Sequence, residues 1–145
     1  MDTTIQNVSA HVMSHDQSVE SVAEIAKNEG WIVDFDPKVN TPSGTAVHAD
    51  LILKKPSGKF IYVECKIGDK DAYLPISGFA QAAQLASSGV PTVLCTNMKL
   101  APSISKLFQE SNIQVLDFSP ALDAKLLSSS LDQAASADLA RDSFL

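Results

Sequence analysis

Residues 49–66 read ADLILKKPSGKFIYVECK, and this stretch decides the fold of the chain. Its centre, Pro56-Ser57-Gly58, is a short turn between two segments with the alternation of β-strands, so the stretch predicts an antiparallel hairpin. Successive strand side chains point to opposite faces. In the second strand residues 61, 63, 65 and 67 are apolar, which leaves Glu64 and Lys66 together on the other face.

The turn also predicts which residues face each other. Asp50 and Glu64 lie at equal distances from Ser57, so the hairpin register pairs them on one face of the sheet. Two carboxylates that close repel each other unless a proton or a cation lies between them. Mg²⁺ or Mn²⁺ is the expected occupant, because hard cations prefer oxygen ligands. The alternative is a solvated sheet face with cross-strand charge pairs.

The remaining pattern predicts a mixed β-sheet flanked by helices, in the order α-β-β-β-α-β-α-β. An amphipathic helix runs from Ser18 to a stop at Gly30, and residues 31–36 alternate as a strand. Residues 38–45 contain Pro-Ser-Gly and are predicted to be a loop. Further helices are expected at 76–87 and 102–111, and further strands at 91–96 and 113–118.

The 145 residues suit one folded domain, which we place at residues 17–118. Residues 1–16 are polar and aperiodic and are predicted to be a flexible lead-in, so His11 and His15 are given no role. Residues 119–145 form an Ala- and Ser-rich tail whose pattern is compatible with a helix, a partner-binding segment or disorder.

Composition limits the classes of function. A net charge of −6 and a pI near 4.8 give no general attraction for nucleic acid, so any basic footprint must be local or belong to a partner. No apolar run approaches the length that crosses a bilayer, and the N-terminus lacks the features of a secretory signal, so we expect a cytoplasmic protein without a membrane partner. Cys65 and Cys95 are predicted to be buried free cysteines.

The hairpin carries a resemblance to a known family. Asp50, thirteen intervening residues and then Glu64-Cys65-Lys66, after an α-β start, resemble the PD-(D/E)xK nuclease superfamily, and most closely its archaeal Holliday junction resolvase-like branch. The similarity extends through the following helix to Asn97 and covers about half of the chain. Ala49 departs from the motif, which usually has proline there. The resemblance implies a restriction endonuclease-like fold with an α-β-β-β-α-β core.

The resemblance also implies roles for individual residues. Asp50 and Glu64 would be metal ligands, with the Cys65 backbone carbonyl as a third ligand. Lys66 would position the attacking water and help to hold the phosphate. Glu20 on the first helix looks like the upstream acidic residue that often completes the metal shell.

Some assignments on neighbouring elements stay open. Glu24 is the rival of Glu20 for the upstream position. Gln81 or Gln84 resembles the glutamine that some branches place beside the site, and Ser43 is a candidate phosphate contact. Each of these residues could equally be an ordinary surface or loop residue.

The implied function is a Mg²⁺- or Mn²⁺-dependent DNA endonuclease of the resolvase or restriction type, and a homodimer would be needed to cut both strands. The alternative is a non-catalytic nuclease fold that serves as a scaffold or regulatory subunit in a larger complex. The acidic balance and the scarcity of arginine, with Arg141 alone, favour that alternative. A third hypothesis is an acidic partner-binding domain in which the Glu-x-Lys pattern is accidental.

Overall fold

The structure is a computed structural model that describes residues 14–69, 71–111, 113–118 and 122–143. Its helices are α1 (His15–Asn28), α2 (Ile76–Ala86), α3 (Pro102–Ser111) and α4 (Ala124–Ser143). Its strands are β1 (Ile32–Phe35), β2 (Lys38–Asn40), β3 (Ala46–His48), β4 (Leu51–Lys54), β5 (Phe60–Lys66), β6 (Thr92–Thr96) and β7 (Gln114–Asp117).

The main sheet has five strands in the order β1-β4-β5-β6-β7. The pairs β1–β4 and β4–β5 are antiparallel, whereas β5–β6 and β6–β7 are parallel. The parallel strands are joined by α2 and α3, as parallel connections require. This mixed sheet flanked by helices confirms the predicted fold class.

Helices cover both faces of the sheet. On one face α1 and α4 pack against β4 and β5 in a core that includes Val22, Leu53, Val63 and Leu127. On the other face α2 and α3 pack against β6 in a second cluster, whose buried members are Leu74, Ala82, Leu94, Phe108 and Ile113. Because both faces are covered, polar side chains reach solvent mainly at the ends of the strands.

The prediction of a loop at residues 38–45 is wrong for residues 38–40, which form β2, whereas residues 41–45 are the turn between two strands. Strands β2 and β3 form an antiparallel ribbon in which Lys38 pairs with His48 and Val39 with Val47. Val39 is buried and packs in a third cluster with Tyr62 of β5 and Leu85 of α2. Burial of this apolar position outweighs the loop-like composition of the turn. We call residues 37–49 the β2–β3 hairpin.

Helix α1 begins at His15, earlier than the Ser18 expected from the hydrophobic period. Ser14 and Gln17 form a capping box, in which the Ser14 hydroxyl accepts from the Gln17 N–H and the Gln17 side chain accepts from the Ser14 N–H. Residues 1–13 of the predicted lead-in lie outside the described residues.

The C-terminal tail contributes to the core. Helix α4 buries Leu127, Leu131 and Ala134 in the cluster beneath α1. Its Ala- and Ser-rich sequence has little amphipathic contrast, so the buried positions were not apparent from periodicity. None of the helices in the described ranges is long and apolar enough to cross a membrane.

Two adjacent leucines of α4 test whether this helix stabilises the domain. Leu127 is fully buried, whereas Leu126 is 54% exposed. We expect Leu127→Ala to lower the free energy of unfolding by about 2–5 kcal/mol, because it leaves a cavity between α4 and the sheet. Leu126→Ala, the matched control, should change it by less than about 0.5 kcal/mol. Equal effects in urea denaturation would contradict the observed packing of α4.

Candidate functional site

The β4–β5 register brings the two predicted carboxylates together. Leu51 pairs with Val63, so the next pair toward the end of the hairpin is Asp50 and Glu64, as predicted from the turn. Tyr62, two residues before Glu64, packs toward α2, which places Glu64 on the face opposite the α1–α4 core. The carboxylates therefore lie where β5 ends beside β4.

Two reciprocal hydrogen bonds fix the pair. The Cys65 N–H donates to Asp50 Oδ2 at 2.8 Å, and the Asp50 N–H donates to Glu64 Oε1 at 3.2 Å. Each carboxylate thus uses one oxygen on the backbone of the opposite strand. The two carboxyl groups also share a side-chain hydrogen bond with each other. Asp50 Oδ1 and Glu64 Oε2 take no part in the backbone bonds, so they are the oxygens that could turn to a ligand.

Lys66 lies beside the pair, as its position on β5 predicts. Its Nζ atom is 3.9 Å from Glu64 Oε2, and its side chain is 30% exposed. At this distance the ammonium compensates part of the carboxylate charge without a close hydrogen bond. The lysine can therefore also reach a solvent molecule or an anion.

Burial shapes the ionisation of Glu64. Its side chain is only 10% exposed, and this burial, with the nearby charge of Asp50, raises the pKa of Glu64 from 4.5 to about 7. The charge of Lys66 acts in the opposite direction but is the smaller influence. Without a cation, the carboxyl group of Glu64 is therefore partly protonated and partly ionised near neutral pH. Binding of a cation would displace that proton.

His15 is a site residue that the sequence reasoning missed. Its Nε2 atom is 3.1 Å from Asp50 Oδ2, and its Nδ1 atom is 3.5 Å from the carboxylate of Asp16. Burial lowers the pKa of His15, but the hydrogen bond and charge of Asp50, with a further contribution from Asp16, outweigh this and leave the pKa raised. The capping box at Ser14 was the signal that could have placed His15 on α1.

The acidic residues expected from α1 lie elsewhere. Glu20 and Glu24 are exposed and line a shallow surface groove with Ser21 and Leu122. No hydrogen bond or ion pair between described residues joins either glutamate to Asp50. The role of Glu20 as a metal ligand, and that of its rival Glu24, stay predictions.

No hydrogen bond or ion pair between described residues joins the remaining candidates to the two carboxylates. Gln81 and Gln84 are exposed on α2. Ser43 lies in the turn of the β2–β3 hairpin, where its hydroxyl is 2.9 Å from the Thr41 hydroxyl and donates to the Thr45 hydroxyl at 3.4 Å. These contacts give Ser43 a local structural role, and its contact with phosphate stays a prediction.

The end of β6 supports the segment that follows Lys66. The Gly68 N–H donates to Asn97 Oδ1 and the Asn97 amide donates to the Gly68 carbonyl, both at 3.0 Å. A Cβ at residue 68 would lie 2.6 Å from Met98 Cε, so glycine permits this close approach. The chain leaving β5 is thereby held against β6, which limits the movement of Lys66.

The two cysteines are buried and free, as predicted. Cys65 and Cys95 are register partners on β5 and β6 and belong to the α1–α4 core. A side-chain hydrogen bond with Cys65 and burial, which both favour the neutral thiol, raise the pKa of Cys95 well above its usual range. The Cys65 side chain therefore points away from the carboxylates, and its backbone N–H is the group that contacts them.

The donor set fits a hydrated hard cation. Within the described ranges, no group of three or more His, Cys, Asp or Glu side chains is close enough to enclose a metal ion. Mg²⁺ is commonly held by one or two carboxylates while it keeps several waters. The carboxylates of Asp50 and Glu64 match that requirement, whereas a closed structural zinc site would need four protein ligands.

Comparison with solved structures shows the restriction endonuclease-like fold. A protein of unknown function, AF1548, superposes with a TM-score of 0.61 at 16% identity, covering 79% of this chain and 65% of that one. Can2 from Sulfobacillus thermosulfidooxidans, solved with cyclic tetra-adenylate, gives 0.63 at 11% identity, covering 83% and 36%. A repair endonuclease from Pyrococcus abyssi gives 0.50 at 15% identity, covering 74% and 48%.

These similarities concern the fold, because all three identities are low. The chain spans between about a third and two thirds of the length of these proteins. No protein-family model matches the sequence, and no curated protein matches it.

The raised pKa of Glu64 predicts how stability depends on pH. The folded state holds the Glu64 proton more tightly than the unfolded state, so its stabilising contribution is complete below about pH 4.5 and is lost as pH rises through about 7. Glu64→Gln keeps an acceptor for the Asp50 N–H but removes the charge. We expect it to raise the free energy of unfolding by about 1–3 kcal/mol at pH 8 and by little at pH 5.

Denaturant unfolding in EDTA at the two pH values measures this effect. Glu24→Gln, on the exposed face of α1, is the control and should show no such pH dependence. A Glu64→Gln effect of the same size at pH 5 and pH 8 would contradict the raised pKa of Glu64.

Proposed function

We propose that this chain is a divalent-cation-dependent DNA endonuclease that hydrolyses phosphodiester bonds at the Asp50–Glu64 pair. The observation that carries the proposal is the pair of partly buried carboxylates, each held by a backbone N–H on one oxygen and with its other oxygen outside those backbone bonds. Such an arrangement keeps both side chains in place and is electrostatically unfavourable until a cation arrives. The restriction endonuclease-like fold supports the proposal, since this fold is shared with the repair endonuclease from Pyrococcus abyssi.

The proposed ligands are Asp50, Glu64 and the Cys65 backbone carbonyl, with Mg²⁺ or Mn²⁺ as the cation. A bound cation would lower the pKa of a coordinated water and neutralise charge that develops on the phosphate. Glu20 remains a proposed addition to this ligand set, which would require a rearrangement of α1 or its side chains.

Lys66 is the proposed partner of the substrate. Its ammonium, already near Glu64 Oε2, can donate a hydrogen bond to a phosphate oxygen or to the attacking water. In the overall reaction a water oxygen bonds to phosphorus and the P–O3′ bond breaks. One proton of the water ends on O3′, so the products are a 5′-phosphate and a 3′-hydroxyl. Gln81, Gln84 and Ser43 remain proposed substrate contacts of lower rank.

A second candidate function is a non-catalytic nuclease fold within a larger assembly. Among the described residues, no group of three or more His, Cys, Asp or Glu side chains could hold a metal ion, which favours weak cation binding. The longer chains of the structural neighbours are also compatible with a role for this fold as one part of a larger protein. Homodimerisation belongs to the first function, because one site cuts one strand.

Plasmid nicking with purified protein separates the two functions. We expect Mg²⁺- or Mn²⁺-dependent nicking that EDTA abolishes, and a fall of about 100-fold or more in Asp50→Asn and in Lys66→Gln. Asp34→Asn and Lys54→Gln are matched controls, since this exposed pair bridges neighbouring strands of the same sheet at 3.1 Å. Both controls should retain activity.

Cation binding by calorimetry completes the test. Nicking that persists in Asp50→Asn and Lys66→Gln would assign the activity to a contaminant or another site. A folded wild-type protein that neither nicks DNA nor binds Mn²⁺ would favour the non-catalytic function.

A further inference from the structure

The acidic residues of this chain are unevenly distributed. Residues 37–49 and 72–109 contain no aspartate or glutamate, although the chain has 17 acidic residues in all. The same two segments carry Lys38, Lys99 and Lys106. The net negative charge of the protein therefore resides entirely in the other segments.

The fold places both acid-free segments in one layer. The β2–β3 hairpin packs against Leu85 of α2 through Val39, while Ala82 of α2 packs with Phe108 of α3. Helix α2 thus lies between the hairpin and α3 on one face of the sheet. We call this layer the acid-free face. Its lysines, Lys38, Lys99 and Lys106, are all exposed.

The opposite face has the opposite character. Helices α1 and α4 and the residues that adjoin them present exposed carboxylates to solvent, namely Asp16, Glu20, Glu24, Glu29, Asp123 and Asp132. The same two helices also carry exposed Lys27 and Lys125, which offset part of this charge, but the carboxylates outnumber them, so the α1–α4 side disfavours a polyanion. Acidic residues do border the acid-free face, at Asp36 before the hairpin, at Asp71 before α2 and at Glu110 near the end of α3.

The acid-free face meets the candidate site at the ends of β5 and β6. Lys66 pairs in register with Thr96, and beyond this point Tyr73 and Lys99 form a parallel bridge. Tyr73 is 61% exposed, and the Lys99 ammonium lies 6.0 Å from the centre of its ring. The Lys99–Asp71 ion pair at 3.3 Å is exposed on both sides, so it is weak and can open.

We propose that the acid-free face is the DNA-docking surface of this protein, with Tyr73 and Lys99 next to the site and Lys38 and Lys106 farther out. An exposed aromatic ring with an adjacent ammonium suits a base and its phosphate, which favours nucleic acid over an acidic protein as the occupant. This proposal rests on the proposed function, and it identifies the face of the sheet from which DNA would approach the site. It also explains how a protein of net charge −6 can hold DNA.

Charge reversal on the two faces tests this surface. Lys106→Glu and Lys125→Glu change the net charge equally, and both lysines are exposed in the first half of a helix, on opposite faces of the sheet. We expect Lys106→Glu and Lys99→Glu each to weaken binding of a short fluorescent DNA duplex by about threefold to tenfold. Each should also reduce the dependence of log Kd on log salt by about one. Lys125→Glu should change Kd by less than about twofold.

Binding is measured by fluorescence anisotropy of the full chain in Ca²⁺, over a series of salt concentrations. Equal effects of Lys106→Glu and Lys125→Glu, or no binding of DNA by the wild-type protein, would overturn the docking surface. Thermal unfolding of each variant excludes loss of binding through misfolding.

Hydrolysis of bis(p-nitrophenyl) phosphate with Mn²⁺ separates this proposal from the proposed function. This small ester needs the carboxylate pair but does not reach the outer part of the docking surface, so Lys106→Glu and Lys125→Glu should hydrolyse it at the same rate. If the ester is hydrolysed but Lys106→Glu and Lys125→Glu weaken DNA binding equally, the docking surface alone is overturned. If Lys106→Glu weakens DNA binding and Lys125→Glu does not, but neither the ester nor DNA is hydrolysed, the docking surface is supported and the nuclease function is refuted.

Discussion

The site depends on two hydrogen bonds between Asp50 and β5. The Cys65 N–H donates to the Asp50 carboxylate, and the Asp50 N–H donates to the Glu64 carboxylate. They cross from β4 to β5, so they exist only in the register that also buries Leu51 and Val63 in the α1–α4 core. A slip of one residue would turn those apolar side chains outward. The packing of the domain and the placement of two carboxylates are therefore set by the same pairing of strands.

The burial of Glu64 destabilises its ionised form. Glu64 is buried beside Asp50, and that burial raises its pKa far enough for protonation to compete near neutral pH. In the cation-free protein, Lys66 and His15 each offset part of the charge of the pair. The proposed cation would take over that compensation. Charge on the rest of the molecule is also uneven, because residues 37–49 and 72–109 contain no aspartate or glutamate.

The parts that were predictable from sequence are those governed by a local period. Alternation in residues 60–67 and the central turn at Pro56-Ser57-Gly58 determine the hairpin register, and hence the Asp50–Glu64 pairing, before any tertiary contact is considered. The parts that were not predictable depend on packing between distant segments. The β2–β3 ribbon forms because Val39 meets Tyr62 and Leu85, and α4 is ordered around Leu127 and Leu131. Neither set of contacts produces a hydrophobic period in the sequence that would predict the ribbon or the buried positions of α4.

The position of α1 shows the same limit at the site. A helix was predictable there, but its rotation about its own axis decides whether Glu20 or His15 approaches Asp50. That rotation follows from the burial of Ser18, Val19 and Val22 against the sheet, which turns Glu20 toward solvent. The resemblance to PD-(D/E)xK nucleases pointed to Glu20 on this helix, whereas the geometry of α1 brings His15 to Asp50.

A crystal of the protein soaked in Mn²⁺, with the metal located by its anomalous scattering, tests the Asp50–Glu64 cation site most directly. We predict one peak within about 2.5 Å of an oxygen of both Asp50 and Glu64, with the Cys65 N–H still bound to Asp50. The absence of any peak between the two carboxylates at saturating Mn²⁺ would contradict the proposed cation site.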